Sequence, residues 1–113
     1  NVRAMGARLE TALRGRFGNH PHIGDIRGRG LFWSVELVRD RATAEPFDPK
    51  LGLAPRIQKE AMAREVMIYP GQGCVDGVRG DHVLLAPSYT STPEEIDLIT
   101  DRLVAAIDAA LGS

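Results

Sequence analysis

Two acidic residues and a serine lie close together in the sequence, in and beside a strand-like segment. Asp25 and Glu36 are of the types that act as paired carboxylates in acid–base chemistry, and Ser34 is of a nucleophilic type. The sequence does not fix the separation of the two carboxylates, and a solvated strand face accounts for Glu36 at least as well. Ser34 lacks the G-x-S-x-G pattern of one common kind of nucleophile. These residues therefore predict no catalytic constellation by themselves.

The remaining reactive side chains are few. Cys74 lies between glycines with no histidine at an informative distance, which favours a bystander thiol. Lys50 follows a proline in a loop and Lys59 lies on the polar side of a predicted helix, so neither is desolvated as a Schiff-base lysine needs to be. With one cysteine and three histidines there is no metal-ligand spacing. We predict no catalytic residue, no cofactor-binding residue and no metal ligand in this chain.

Arg79 is the charged residue of greatest interest, because it lies in an irregular segment, residues 70–81, that holds four glycines. Irregular connections of this length in compact domains are often functional, and the arginine side chain offers a planar fork that binds carboxylates. The alternative interpretation is a solvated loop arginine, or a local partner of Asp76 or Asp81.

Two stretches show the three- and four-residue hydrophobic spacing of amphipathic helices. The first covers residues 2–17, with charged residues on its other faces, and ends near Gly18 before Pro21. The second covers residues 52–64 and is less strongly amphipathic. Each helix therefore has one face to bury.

A third helix is predicted to begin at Thr92 and to run through Leu111. Thr92 is a good N-cap, Pro93 suits the first helical position, and Glu95 completes a capping box. This is the best start signal in the sequence.

Residues 23–38 alternate between apolar and polar positions as a half-buried strand does, and we predict a β-hairpin there. One side of the second strand carries Leu31, Trp33, Val35 and Leu37, and the other carries Phe32, Ser34 and Glu36. Gly28 and Gly30 bracket Arg29 and are predicted to supply a tight reversal or bulge. A phosphate-binding loop is disfavoured because Gly30 leads into a strand.

Two further strands are predicted at residues 66–69 and 82–86, with a polar surface loop over residues 39–52. The element order is then α-β-β-α-β-β-α. It predicts an α+β fold in which a small antiparallel sheet of two hairpin-like strand pairs has its helices packed on one face.

Length and composition predict one domain, residues 1–113. The hydrophobic fraction of 43% and charged fraction of 26% are ordinary for a globular protein, and no apolar run approaches a membrane span. No signal peptide is visible. A formal net charge of -1 disfavours nucleic acid, and the single cysteine favours a reducing, cytoplasmic setting. Because the chain starts at Asn1 within a helical pattern, we expect it to be part of a longer protein.

Four segments, in this order, resemble the C-terminal end of class-III, fold type I, pyridoxal-phosphate aminotransferases, and are similar to those of ω-aminotransferases. They are IGDIRGRGLFWSVELV, DRATAEPFDP, AMAREVMIYP and GDHVLLAPSYTSTPEEID, and they cover nearly the whole chain. The resemblance implies a small C-terminal domain packed beside an upstream large domain, which carries the cofactor lysine. It also implies a homodimeric parent enzyme and a fragment that binds no pyridoxal phosphate and is inactive alone. The parent would transfer an amino group from an amine or ω-amino acid to a keto acid such as pyruvate.

The resemblance also assigns substrate-binding residues. Members that act on α-amino acids place an arginine at the position of Leu84, and others place one at the position of Tyr69. Since neither is arginine here, the hypothesis is that Arg79 swings in to hold the carboxylate of the keto acid and swings out for an uncharged amine. Arg79 and Tyr69 are the predicted substrate-binding residues.

Two other functions fit the same element order. One is a free-standing α+β binding or regulatory module without catalysis. The other is an interaction protein that dimerises through an exposed sheet or helix face.

Overall fold

The computed structural model describes residues 2–72, 80–87 and 91–112, which form three α-helices, a short 3₁₀ helix and one four-stranded sheet. The elements are α1 (Val2–Phe17), β1 (Ile23–Arg29), β2 (Phe32–Leu37), the 3₁₀ helix (Pro49–Leu51), α2 (Leu53–Ala63), β3 (Tyr69–Gln72), β4 (Asp81–Leu85) and α3 (Pro93–Leu111). The predicted α+β class and the order α-β-β-α-β-β-α are confirmed.

The hairpin of β1 and β2 reverses at Gly30 and Leu31. Gly30 has φ 57°, a left-handed conformation that glycine adopts without the strain of a Cβ. Gly28 is not part of the reversal, because it lies within β1 as the cross-strand partner of Trp33. The prediction of a glycine turn is therefore right for Gly30 and wrong for Gly28, which is a strand residue.

The two strand pairs join into a single antiparallel sheet of order β1-β2-β4-β3. β2 pairs with β4 from Trp33 opposite Leu85 to Leu37 opposite Asp81. The central strands are thus 44 or more residues apart in sequence, so the sheet closes only when distant segments meet.

The third strand begins later than its sequence predicted. Residues 66–68 are not in a strand, and β3 runs from Tyr69 to Gln72. Val66 and Ile68 are buried and Met67 is exposed, so the burial alternates as it does in a strand, but the ladder to β4 starts only where Tyr69 meets Leu84. The segment predicted to be irregular from residue 70 is consequently ordered up to residue 72.

Helix α3 begins as its sequence predicted. The Thr92 side chain accepts a hydrogen bond from the Glu95 backbone N–H, and the Glu95 side chain accepts one from the Thr92 backbone N–H. Two of the free N–H groups at the helix start are satisfied in this way, which fixes where α3 enters the core.

The hydrophobic core lies between one face of the sheet and the three helices. Trp33, Val35 and Leu37 of β2 and Val83 and Leu85 of β4 are at most 4% exposed. They belong to one continuous cluster with buried helix residues, which include Leu9, Leu13, Phe17, Ile57, Ile96, Leu103 and Ile107. The prediction that the helices pack on one face is confirmed.

Ion pairs line the outer seam between α1 and α3. The Arg8 guanidinium donates two hydrogen bonds to the Asp97 carboxylate, at 3.0 and 2.6 Å, and Arg16 pairs with Asp101. The hydrogen bond from Arg8 holds the pKa of Asp97 below its usual value. Residue numbers rise together along the two helices, so α1 and α3 run parallel.

None of the helices in the described part of the chain has the length and apolar character needed to cross a membrane.

Candidate functional site

The sheet face that points away from the helices is the candidate site, and we call it the open face. Its residues alternate with the core residues along the same strands, because successive side chains of a strand point to opposite sides. Phe32 and Tyr69 are 56% and 53% exposed, while Ser34, Glu36, His82 and Leu84 are half-buried. A concave pocket of about 430 Å³ lies against this face.

Two cross-strand rows define the geometry of the open face. One row runs through Arg27, Ser34, Leu84 and Tyr69, which are successive Cα partners from β1 to β3. The next row runs through Asp25, Glu36, His82 and Gly71 in the same way. The face therefore has an apolar part around Phe32, Leu84 and Tyr69 and a charged part around Glu36.

The two carboxylates whose separation the sequence left open are cross-strand partners. Arg27 lies between them, with its Nε 2.5 Å from Asp25 Oδ2 and its Nη2 3.8 Å from Glu36 Oε2. General acid–base catalysis needs each carboxyl group free to reach the reacting proton, whereas here Arg27 lies between the two. The arrangement is thus an ion triplet, and Asp25 and Glu36 do not form an acid–base pair.

Ser34, Glu36 and His82 are also brought together, at adjacent positions of β2 and β4. A serine triad needs one hydrogen bond from serine to histidine and another from histidine to the acid. His82 Nδ1 is buried without a hydrogen-bond partner among the described residues. The trio therefore lacks the connections of a triad, in agreement with the missing nucleophile motif.

Of the two predicted substrate-binding residues, the structure describes only Tyr69. It is the first residue of β3, and its hydroxyl lies 3.8 Å from Met67 Sδ. Leu84 is its cross-strand partner. The two positions at which the resemblance would place an arginine therefore lie side by side on the open face. Sequence reasoning noted both positions but had no means of pairing them.

Arg79 and Cys74 lie outside the described residues. The segment that contains them connects Gln72 at the end of β3 to Asp81 at the start of β4, and these two residues are cross-strand partners. Arg79 is three residues in sequence from His82, which lies on the open face.

Sequence reasoning missed His82 as a residue of this face, because it considered the three histidines only to note that they show no metal-ligand spacing. The alternation in HVLLA places His82 and Leu84 on one side and Val83 and Leu85 on the other, and that signal was present in the sequence. Among the described residues, no three His, Cys, Asp or Glu side chains form a group able to hold a metal ion.

The two lysines lie away from the open face. Lys59 is an exposed residue of α2, which packs on the core side of the sheet, and Lys50 is exposed in the 3₁₀ helix that precedes α2. Both lysine side chains are therefore solvated, and the sequence had predicted this.

Fold and site together define a class of structure, an α+β unit whose sheet is covered by helices on one side and open on the other. Comparison with known proteins identifies relatives. An uncharacterized aminotransferase of Schizosaccharomyces pombe is 44% identical over 109 residues, which are 96% of this chain and 24% of that protein. A hypotaurine/taurine–pyruvate aminotransferase of Paracoccus denitrificans is 39% identical over 111 residues, or 98% of this chain and 23% of that protein. No protein-family model matches the chain.

Solved structures agree with these relatives. A pyridoxal-phosphate-bound aminotransferase mutant from Vibrio fluvialis superposes with a TM-score of 0.87 at 30% identity, over 99% of this chain and 23% of that one. A thermostable (S)-enantioselective omega-transaminase from Thermomicrobium roseum gives a TM-score of 0.84 at 30% identity, over 98% of this chain and 23% of that one. The homologues of this chain are aminotransferases and its structural neighbours are class-III omega-transaminases, so the resemblance seen in the sequence is confirmed. The chain spans about a quarter of the length of these relatives.

Proposed function

We propose that residues 1–113 are the small C-terminal domain of a pyridoxal-phosphate-dependent class-III aminotransferase. The observation that carries this proposal is the similarity over nearly the whole chain to aminotransferases about four times its length, with 44% identity to one of them. The TM-scores of 0.84 and 0.87 to transaminase structures support the same assignment.

The whole enzyme would transfer an amino group from an amine or ω-amino acid to a keto acid such as pyruvate. Two observations support this substrate class. One relative is named as a hypotaurine/taurine–pyruvate aminotransferase. In addition, the open face carries Leu84 and Tyr69 side by side at the positions where the resemblance would place an arginine for an α-carboxylate. A donor without an α-carboxylate fits this apolar pair better than an α-amino acid does.

The described residues of this chain do not fit the role of holding pyridoxal phosphate. A Schiff base needs a desolvated lysine, and Lys50 and Lys59 are both exposed and on or next to α2. The cofactor, which supplies the electron sink for amino-group transfer, would be held by an upstream large domain of the parent enzyme. The parent is proposed to be a cytoplasmic homodimer.

This chain would contribute the substrate contacts. Tyr69 lies on the open face next to Leu84, and Arg79 belongs to the segment that leaves and re-enters the same end of the sheet. Arg79 is proposed to bind the keto-acid carboxylate and to move aside for the amine. An arginine that alternates in this way serves two substrates of different charge with one site.

The substrate role of Arg79 is tested in an intact aminotransferase that contains this domain. With an amine donor that has no carboxylate, Arg79→Ala should raise the KM for pyruvate well above any change in the KM for the amine, since only pyruvate then carries a carboxylate. Arg29→Ala is the matched control, because Arg29 is exposed at the opposite end of the open face, across from Phe32. Equal effects of Arg79→Ala on both substrates, or no effect, would contradict the role.

The domain assignment has its own test. The purified 113-residue chain should give no lysine-linked absorbance band when mixed with pyridoxal phosphate, whereas the intact parent should. A stoichiometric band from the isolated chain would overturn the assignment. The alternative is a free-standing α+β binding module, for which the continuous core of the chain would also serve. The parent open reading frame separates the two, because only the aminotransferase requires an upstream domain with a lysine after an apolar strand.

A further inference from the structure

Strand β1 lies at one edge of the sheet, because the strand order is β1-β2-β4-β3. In an antiparallel strand the backbone N–H and C=O groups of successive residues point alternately toward the partner strand and away from it. The hairpin closes around a two-residue turn with Arg29 opposite Phe32, so this pair exchanges hydrogen bonds. By alternation, Gly28 and Ile26 direct their backbone groups to the free edge. An exposed edge of this kind is a template for pairing with another strand.

Both outward backbone groups of Ile26 are already engaged within the chain. Its N–H donates to Asp25 Oδ1 at 3.0 Å, and its carbonyl oxygen accepts from Arg14 Nη2 at 3.4 Å. Since Arg14 belongs to α1, a side chain of the helix layer reaches the edge of the sheet. Another strand can pair with β1 at Ile26 only when these two contacts are broken.

Arg14 is held at this edge by two further contacts. Its Nε lies 2.9 Å from Glu10 Oε2, and its guanidinium carbon Cζ lies 5.8 Å from the centre of the Trp33 ring, a cation–π distance. A cleft of about 350 Å³ lies beside the same edge, and its lining includes Arg14, Gly24 and Ile26. The arginine side chain therefore lies where an added strand would have to pair.

We propose that the free edge of β1 pairs antiparallel with the β1 edge of a second copy of this chain, and that Arg14 holds this surface closed. With Ile26 opposite Ile26, Asp25 of each copy lies opposite Arg27 of the other, and opposite charges at facing positions favour pairing. Centring the pair on Arg27 would place two arginines opposite each other, and centring it on Asp25 would place two carboxylates together. Arg27 Nε and Asp25 Oδ2 already lie 2.5 Å apart within one chain, so the second copy exchanges ion-pair partners and the charges select the register.

The test removes the Arg14 side chain from the purified chain. Arg14→Ala should dimerise about tenfold more tightly than the unchanged chain, since neither copy then has to break the hydrogen bond to its Ile26 carbonyl. Arg16→Ala is the matched control, because Arg16 has the same charge, lies on the same helix and pairs with Asp101 of α3. Sedimentation equilibrium measures both dissociation constants. Equal dimerisation of the two variants, or no gain in Arg14→Ala, would overturn the proposal.

Hydrogen exchange locates the pairing surface in the Arg14→Ala variant. The Gly28 amide points to the free edge and has no hydrogen-bond partner among the described residues, so its exchange should slow as the chain concentration rises. Amides of β3, at the opposite edge of the sheet, should not change. Slowing on β3 without slowing at Gly28 would show association through another surface and contradict the assignment.

A change of charge tests the register. Arg27→Glu, introduced into the Arg14→Ala chain, places acidic side chains opposite each other and should weaken dimerisation about tenfold. Arg29→Glu in the same background is the control, because position 29 faces Ile23 of the second copy in this register. Equal weakening by both substitutions, or by neither, would rule out the pairing of Asp25 with Arg27. These outcomes do not depend on the proposed aminotransferase activity, because the experiments involve no cofactor and no turnover.

Discussion

Strand β2 presents two faces that differ in almost every physical property. Trp33, Val35 and Leu37 are at most 4% exposed and belong to the core, whereas Phe32 is 56% exposed on the opposite side. The covered face is apolar throughout, and the open face mixes an aromatic ring with a serine and a glutamate. The stability of the fold therefore depends on one face of the strand, which leaves the other free to carry recognition.

The same contrast holds for β4, where Val83 and Leu85 are buried and His82 and Leu84 are half-buried on the open face. A buried polar atom without a hydrogen-bond partner among the described residues lies on the open face, His82 Nδ1. Such groups cost free energy in an isolated domain unless a partner or ligand supplies hydrogen bonds. The open face thus has the features of a binding surface and the covered face those of a scaffold.

The largest effect that would test this contrast comes from comparing one substitution on each face of β2. Leu37→Ala should lower the free energy of unfolding by about 2–5 kcal/mol, because it opens a cavity among fully buried side chains. Phe32→Ala, on the open face, should cost less than about 1 kcal/mol. Urea denaturation of both variants measures the difference. Similar losses would mean that the open face is covered in the folded chain.

A smaller effect is expected at the start of α3, which supports the covered face. Thr92→Ala removes both the side-chain acceptor and the capping box, and should cost about 1 kcal/mol. Thr11→Ala is the matched control, because Thr11 is an exposed residue inside α1, where alanine is the better helix former. Thermal denaturation followed by circular dichroism compares the two. A loss at Thr11 as large as that at Thr92 would contradict the role of the cap.

The smallest effect is expected at the outer seam of the scaffold, between Arg8 and Asp97. The pKa of Asp97 is lowered in the folded chain by the hydrogen bond from Arg8, so the pair stabilises the fold above the ordinary carboxyl pKa of about 3.9. This contribution is lost as the pH falls through the lower, folded-state pKa. The Tm of Asp97→Asn should lie slightly below that of the unchanged chain at pH 7 and meet it in strong acid.

Ionic strength provides the control for that prediction. Both side chains are about half exposed, so salt should screen the pair and reduce the difference in Tm at pH 7. A difference that persists unchanged from pH 7 into strong acid would show that Asp97 acts through packing and not through its charge.

Local patterns predicted most of the elements correctly. The helix over residues 2–17, the hairpin and the capped start of α3 each depend on residues within one or two turns of one another. The prediction failed at residues 66–68, where Val66 and Ile68 alternate in burial with Met67 but have no ladder partner. Burial can alternate without a strand, whereas a ladder requires hydrogen bonds that the local sequence does not specify.

The candidate site was only partly predictable. The sequence placed Ser34 and Glu36 on one side of the strand and predicted Tyr69 as a substrate-binding residue, and the alternation in HVLLA could have added His82. It could not show that Asp25 and Glu36 face each other with Arg27 between them, nor that Tyr69 lies beside Leu84. Arg79 lies outside the described residues, so its role stays a prediction.

The sequence alone determined which side of each strand is apolar and where the helices begin, because these follow from residue type and short-range spacing. The resemblance to class-III aminotransferases was also visible in the sequence, from four segments in the same order. Only the tertiary structure decided the strand order β1-β2-β4-β3 and the two cross-strand rows of the open face. The physical reason is that strands distant in sequence acquire their register from backbone hydrogen bonds, formed as the apolar faces are buried together.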